Sequence, residues 1–173
     1  MKPVVAVVGG GSWATALVKI LSNNLDSIHW WVRNPETAEF LQKYRHNPSY
    51  LSDVVIDTGK VSISTDLHAA IDAADIVILA VPSAFLKSSL SPLTSADFSG
   101  KLVFSAIKGI IPDDLQIVGD YLQTAFTIPI DHVGVIKGPA ASTLVGAGGL
   151  REGQEEQEEG QFSIRQRIVI IAE

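Results

Sequence analysis

Short apolar runs alternate with stretches in which apolar residues recur every three or four positions. Residues 4–8, 28–32, 61–64, 76–81, 102–106 and 133–136 read as strands. Most are apolar on both faces, as strands buried in a parallel sheet are. Between the first two, Ala14, Leu17, Val18 and Leu21 mark a helix over residues 13–21. Residues 36–44 read as a second helix, with Pro35 at its start. Asp66 is placed to cap a third helix through Ala70 and Ile71, and Ser83 to cap a fourth. Pro112-Asp113-Asp114 reads as the opening of another helix, and residues 46–59 as a loop. This alternation predicts an α/β fold built on a doubly wound, mostly parallel sheet.

The pattern changes late in the chain. Residues 146–161 are rich in Gly, Glu and Gln where an α/β pattern would call for another helix and strand. We therefore expect a domain over residues 1–145 and an atypical tail over 146–173, disordered or partly strand. Charge follows the same division. The net charge is -6, and six of the eight glutamates lie after residue 150, whereas all eleven aspartates lie before it.

Composition removes several classes of function. Hydrophobic residues make up 46% and charged residues 18%, enough apolar material for a core. No apolar run reaches the roughly 20 residues that span a bilayer. The chain has no cysteine, hence no disulfide and no thiol nucleophile. An acidic balance without a basic cluster argues against nucleic acid. The four histidines show no metal-ligand spacing, and no metal is expected. Residues 4–8 are too short for a signal-peptide core, and three glycines follow them.

The sharpest local signal is Gly9-Gly10-Gly11-Ser12-Trp13-Ala14, a G-x-G-x-x-A turn between a strand and a helix. Gly9 permits the tight turn, Gly11 clears an approach for a pyrophosphate, and Ala14 lets the helix pack close. The helix start then offers free N–H groups to phosphates. The sheet is thus expected to be Rossmann-like. At the end of the second strand, where a carboxylate would bind the ribose of NAD, stands Arg33. A guanidinium favours the 2′-phosphate of NADP(H), or stacks on adenine. Lys108 follows a buried strand and precedes Gly109, placed to reach into the crevice with a cation. Trp13 is placed to pack or to flank the cofactor; Trp30 and Trp31 read as packing residues.

Together these motifs resemble the bacterial NAD(P)-dependent glycerol-3-phosphate dehydrogenases. The matching pieces are the glycine turn through Leu17, Trp31-Val32-Arg33, His46-Asn47-Pro48-Ser49-Tyr50-Leu51, Ala80-Val81-Pro82-Ser83, Ser105-Ala106-Ile107-Lys108-Gly109 and Gly138-Pro139. They fit in order over residues 1–139. The resemblance implies a cytoplasmic enzyme using NADP or NAD to reduce dihydroxyacetone phosphate to sn-glycerol 3-phosphate, a phospholipid precursor. It places Ser12, Trp13, Arg33 and Tyr50 at the cofactor, beside Gly9 and Gly11 of the glycine turn. It gives Lys108 to cofactor, substrate and catalysis, and Gly138 and Ala140 to the substrate. The chain departs from the family after Gly138-Pro139, reading Ala140-Ala141-Ser142. The family's second, helical domain, with its further catalytic lysine, is expected to be absent. A sheet cut there would leave an open edge, so a homodimer is among the expected assemblies. Two other readings are a non-catalytic NAD(P)-binding module and an inactive truncated or frameshifted product.

Overall fold

Strands that are apolar on both faces must be covered on both, and this dictates the architecture. The computed structural model describes residues 2–136. Its strands are β1 (Val5–Val8), β2 (Ile28–Trp31), β3 (Val61–Ser64), β4 (Ile76–Leu79) and β5 (Leu102–Ser105). β6 (Ile110–Ile111), β7 (Gln116–Ile117) and β8 (Val133–Val135) complete the set. Six of them form one parallel sheet in the order β3-β2-β1-β4-β5-β8. The predicted doubly wound sheet is therefore present, with strand limits within two residues of those expected.

The helices are α1 (Ser12–Asn24), α2 (Pro35–Tyr44), α3 (Leu67–Asp72), α4 (Leu86–Leu90) and α5 (Val118–Phe126). Side chains alternate across a strand, and β1 shows the consequence. Val5 and Val7 pack with Leu17 and Leu21 of α1 and Leu41 of α2. Ala6 and Val8 pack with Ile71 of α3, Leu86 of α4 and Leu122 of α5. The two apolar layers are the two covers of the sheet. Asn34 and Asp66 cap α2 and α3 by accepting from the Thr37 and Ala69 N–H groups, both at 3.1 Å. Trp30 and Trp31 are buried, as expected of packing residues.

Two local expectations are corrected. Ser83 caps nothing: it opens a 3₁₀ turn over Ser83–Phe85, and α4 starts only at Leu86. The helix expected to open at Pro112 starts at Val118 instead. Before it, β6 and β7 form an antiparallel hairpin pairing Ile110 with Ile117 and Ile111 with Gln116. Pro-Asp-Asp suits a turn as well as a helix start. Tertiary burial decides between them, because the hairpin seats Ile111 in the second apolar layer at 1% exposure. Lys87 of α4 ties the hairpin loop down through Asp114, and that bond raises the Lys87 pKa.

A second surface tie joins α3 to the 3₁₀ turn at Ser95–Phe98, on the same side of the sheet. Asp97 accepts from the Thr94 N–H at 2.7 Å and from His68 Nδ1 at 2.8 Å. The Thr94 backbone bond first, then the bonds from the Thr94 hydroxyl and His68, hold its pKa below the ordinary value against some desolvation. A carboxylate whose folded pKa is depressed contributes stability above its unfolded pKa and loses it as pH falls through the folded one. Melting temperatures of wild type and Asp97→Asn should therefore converge as pH drops below about 4. A gap that stays constant from neutral pH down would exclude the effect.

Candidate cofactor site

In an open α/β sheet the crevice lies beyond the carboxyl ends of the strands, where the strand order reverses. Here the reversal falls between β1 and β4, since β2 flanks β1 on one side and β4 on the other. The segments leaving these strands are the glycine turn and Ala80-Val81-Pro82. They nearly touch. A Cβ built on Gly9 would lie 2.4 Å from the Ala80 carbonyl oxygen, and Gly9 has φ +139°. Only glycine fits there. The turn is held from behind: Trp30 Nε1 donates to the Gly9 carbonyl at 2.6 Å, and Gly9 N–H donates to the Trp31 carbonyl at 3.0 Å.

Gly11 behaves differently. A Cβ there would meet nothing within 4 Å. Gly11 is the N-cap of α1 without any side-chain cap, and the first turn carries no acidic residue. The first N–H groups of a helix have no partner within it. α1 therefore presents N–H donors and a partial positive charge to open space. A pyrophosphate fits this setting, which has neither a competing carboxylate nor an obstructing side chain. Ser12 is exposed, while Trp13 is half-buried and packs against the first apolar layer.

The remaining candidates lie along the same carboxyl edge. Arg33 follows β2 and is exposed, with its guanidinium 5.3 Å from the centroid of the Phe85 ring. Phe85 belongs to the turn after β4 and is 48% exposed. An apolar ring left this open on a crevice wall is a feature that sequence reading missed; only its position just past the strand end signalled it. Tyr50 is exposed, on a loop whose backbone is tied to the glycine turn through Asn47. Asn47 was legible only as part of a motif, without a role. Lys108 is exposed beyond β5, before Gly109 at φ +88°. The fold thus brings the glycine turn, Arg33, Phe85 and the Tyr50 loop to the crevice around β1, and sets Lys108 two strands from β1. Gly138, Ala140 and the 146–173 tail lie outside the described residues.

The strand order and the glycine turn define the class: a Rossmann-type dinucleotide-binding domain. Residues 4–150 match the family model described as NAD-dependent glycerol-3-phosphate dehydrogenase N-terminus, and the chain belongs to that family. The match continues past residue 139, where the motif-by-motif fit ended. A curated relative, glycerol-3-phosphate dehydrogenase [NAD(P)+] of Pseudomonas syringae pv. syringae, is 38% identical over 135 residues. That alignment covers 78% of this chain and 38% of the relative, so the chain spans well under half the relative's length. The fold is shared with the glycerol-3-phosphate dehydrogenase of Coxiella burnetii at TM-score 0.70 and 21% identity, over 82% of this chain and 42% of that one. The Saccharomyces cerevisiae enzyme aligns at TM-score 0.75 and 18% identity, over 100% of this chain and 54% of that one. No helix among the described residues is long and apolar enough to cross a membrane.

Proposed function

We propose that the chain supplies the cofactor domain of an NAD(P)H-dependent reductase that converts dihydroxyacetone phosphate to sn-glycerol 3-phosphate in the cytoplasm. The observation that carries the reading is the uncapped start of α1, facing open space at a glycine turn that only glycine can make. In this reading residues 1–145 form the binding unit. Gly9 shapes the turn, while Gly11 and Ser12 present backbone donors to the pyrophosphate. Trp13 and Tyr50 border the cofactor. Arg33, braced on Phe85, meets the 2′-phosphate of NADP or stacks on the adenine of NAD.

When bound, the nicotinamide would supply a hydride to the substrate carbonyl carbon, and the oxygen would take its proton from the family's further catalytic lysine or from water. Lys108 is the chain's own contribution to that chemistry. Its ammonium, at the carboxyl edge, is placed to stabilise the charge that develops on the carbonyl oxygen and to bind the substrate phosphate. Gly138 and Ala140 are proposed to border the same small-molecule substrate. A homodimer is proposed as the assembly.

Binding and turnover are separable here, because the chain spans 38% of the length of the relative it matches. The purified 173-residue chain should quench its tryptophan fluorescence on titration with NADPH or NADH. With dihydroxyacetone phosphate it should oxidise the cofactor slowly or not at all. Robust steady-state turnover would refute the division of labour. Absence of any cofactor binding would refute the reading as a whole.

A further inference from the structure

We infer that Asn47 is a positioning residue for the cofactor, aiming the backbone donors of the glycine turn by holding the carbonyls behind them. The inference rests on the dinucleotide reading above. Asn47 is fully buried, yet its carboxamide has two donors and two acceptor sites to satisfy. All of them are used. Nδ2 donates to the Gly10 carbonyl at 3.0 Å and to Thr15 Oγ1 at 2.9 Å. Oδ1 accepts from the Ser49 N–H at 3.0 Å and the Tyr50 N–H at 3.2 Å. The Thr15 hydroxyl in turn donates to the Gly11 carbonyl at 2.9 Å, which also accepts from the Thr15 N–H at 3.0 Å.

Peptide geometry gives these bonds a consequence at the crevice. In a trans peptide the carbonyl and the following N–H point in opposite directions. Holding the Gly10 carbonyl toward Asn47 therefore sends the Gly11 N–H the other way. Holding the Gly11 carbonyl toward Thr15 does the same for the Ser12 N–H. Without such ties, adjacent glycines have the freest peptides in the chain, and their donors would sample many directions. The same side chain fixes the backbone at Ser49 and Tyr50, so the turn and the Tyr50 loop are set by one group. Preorganised donors bind more tightly because their ordering cost is met during folding.

The test measures affinity and melting temperature side by side. The wild-type chain is titrated with NADPH and with NADH by fluorescence, and the tighter ligand is used for the variants. Asn47→Leu keeps the approximate volume and removes both donors without placing a charge beside the phosphate site. Its Kd, measured where circular dichroism shows it folded, should rise about tenfold or more. A merely structural Asn47 would lower the melting temperature of the free protein and leave that Kd unchanged, which overturns the inference. If Asn47→Leu does not fold, Thr15→Val decides the question, since it removes the hydroxyl that links Asn47 to the Gly11 carbonyl and keeps the backbone bond from the Thr15 N–H. An affinity loss of about threefold is expected there, with recovery in Thr15→Ser; an unchanged Kd in Thr15→Val overturns the inference. If the wild type binds neither cofactor, the dinucleotide reading itself falls and this inference with it. If the wild type binds and the variants bind equally well, only the inference falls.

Discussion

Gly9→Ala is expected to destabilise the fold by about 3 kcal/mol or more, combining backbone strain with overpacking. The added methyl would stand 2.4 Å from the Ala80 carbonyl oxygen and 2.8 Å from its carbon. Both are backbone atoms at the join of β1 and β4, so neither can step aside cheaply. The φ of +139° adds strain for any L side chain. Gly11→Ala makes the contrast. Its methyl meets nothing within 4 Å, so stability should fall by less than about 1 kcal/mol, a small N-cap effect. Its cofactor affinity should fall clearly, because the methyl enters the space assigned to the pyrophosphate. Chemical denaturation separates the stability effects, and fluorescence titration reads the binding. Equal stability loss at both positions would contradict this account of the turn.

Arg33→Asp is expected to weaken NADPH binding about a hundredfold or more while changing NADH binding far less. The guanidinium is exposed over the Phe85 ring, so its removal leaves no buried group unpaired and the fold should hold. The substitution deletes a charge-assisted partner for the 2′-phosphate and puts a like charge in its place. It also installs the carboxylate that accepts from a ribose hydroxyl in NAD-selective folds. The ratio of the two dissociation constants is the readout. An equal loss for both cofactors would mean that Arg33 stacks on the adenine and does not read the phosphate.

How much of this was legible beforehand depended on how local the signal was. The strands could be read because burial on both faces leaves an unbroken apolar run, as in Val5-Ala6-Val7-Val8. The cap at Asp66 could be placed because it acts on an N–H three residues away; the equivalent cap at Asn34 was not read, and the structure supplies it. The hairpin at β6 and β7 was misread as a helix start because Pro112-Asp113-Asp114 serves both structures. Only the seat for Ile111 in the second layer separates them. Ser83 was misread for a similar reason, since a serine after a strand is a common cap and the 3₁₀ turn depends on packing of the residues that follow.

The candidate site divides along the same line. By itself the sequence determined the alternation of buried strands and helices, the glycine turn, and a cation in place of a carboxylate at Arg33. These are properties of neighbouring residues, set by backbone sterics and burial. The tertiary structure alone decided the strand order that puts Gly9 against Ala80. It also decided the ring that Phe85 offers to Arg33, and the bonds by which Asn47 reaches back 37 residues to Gly10. Those contacts join segments that are distant in the chain. Their partners are chosen by which crossovers bury the sheet on both faces, and no local pattern of residues encodes that choice.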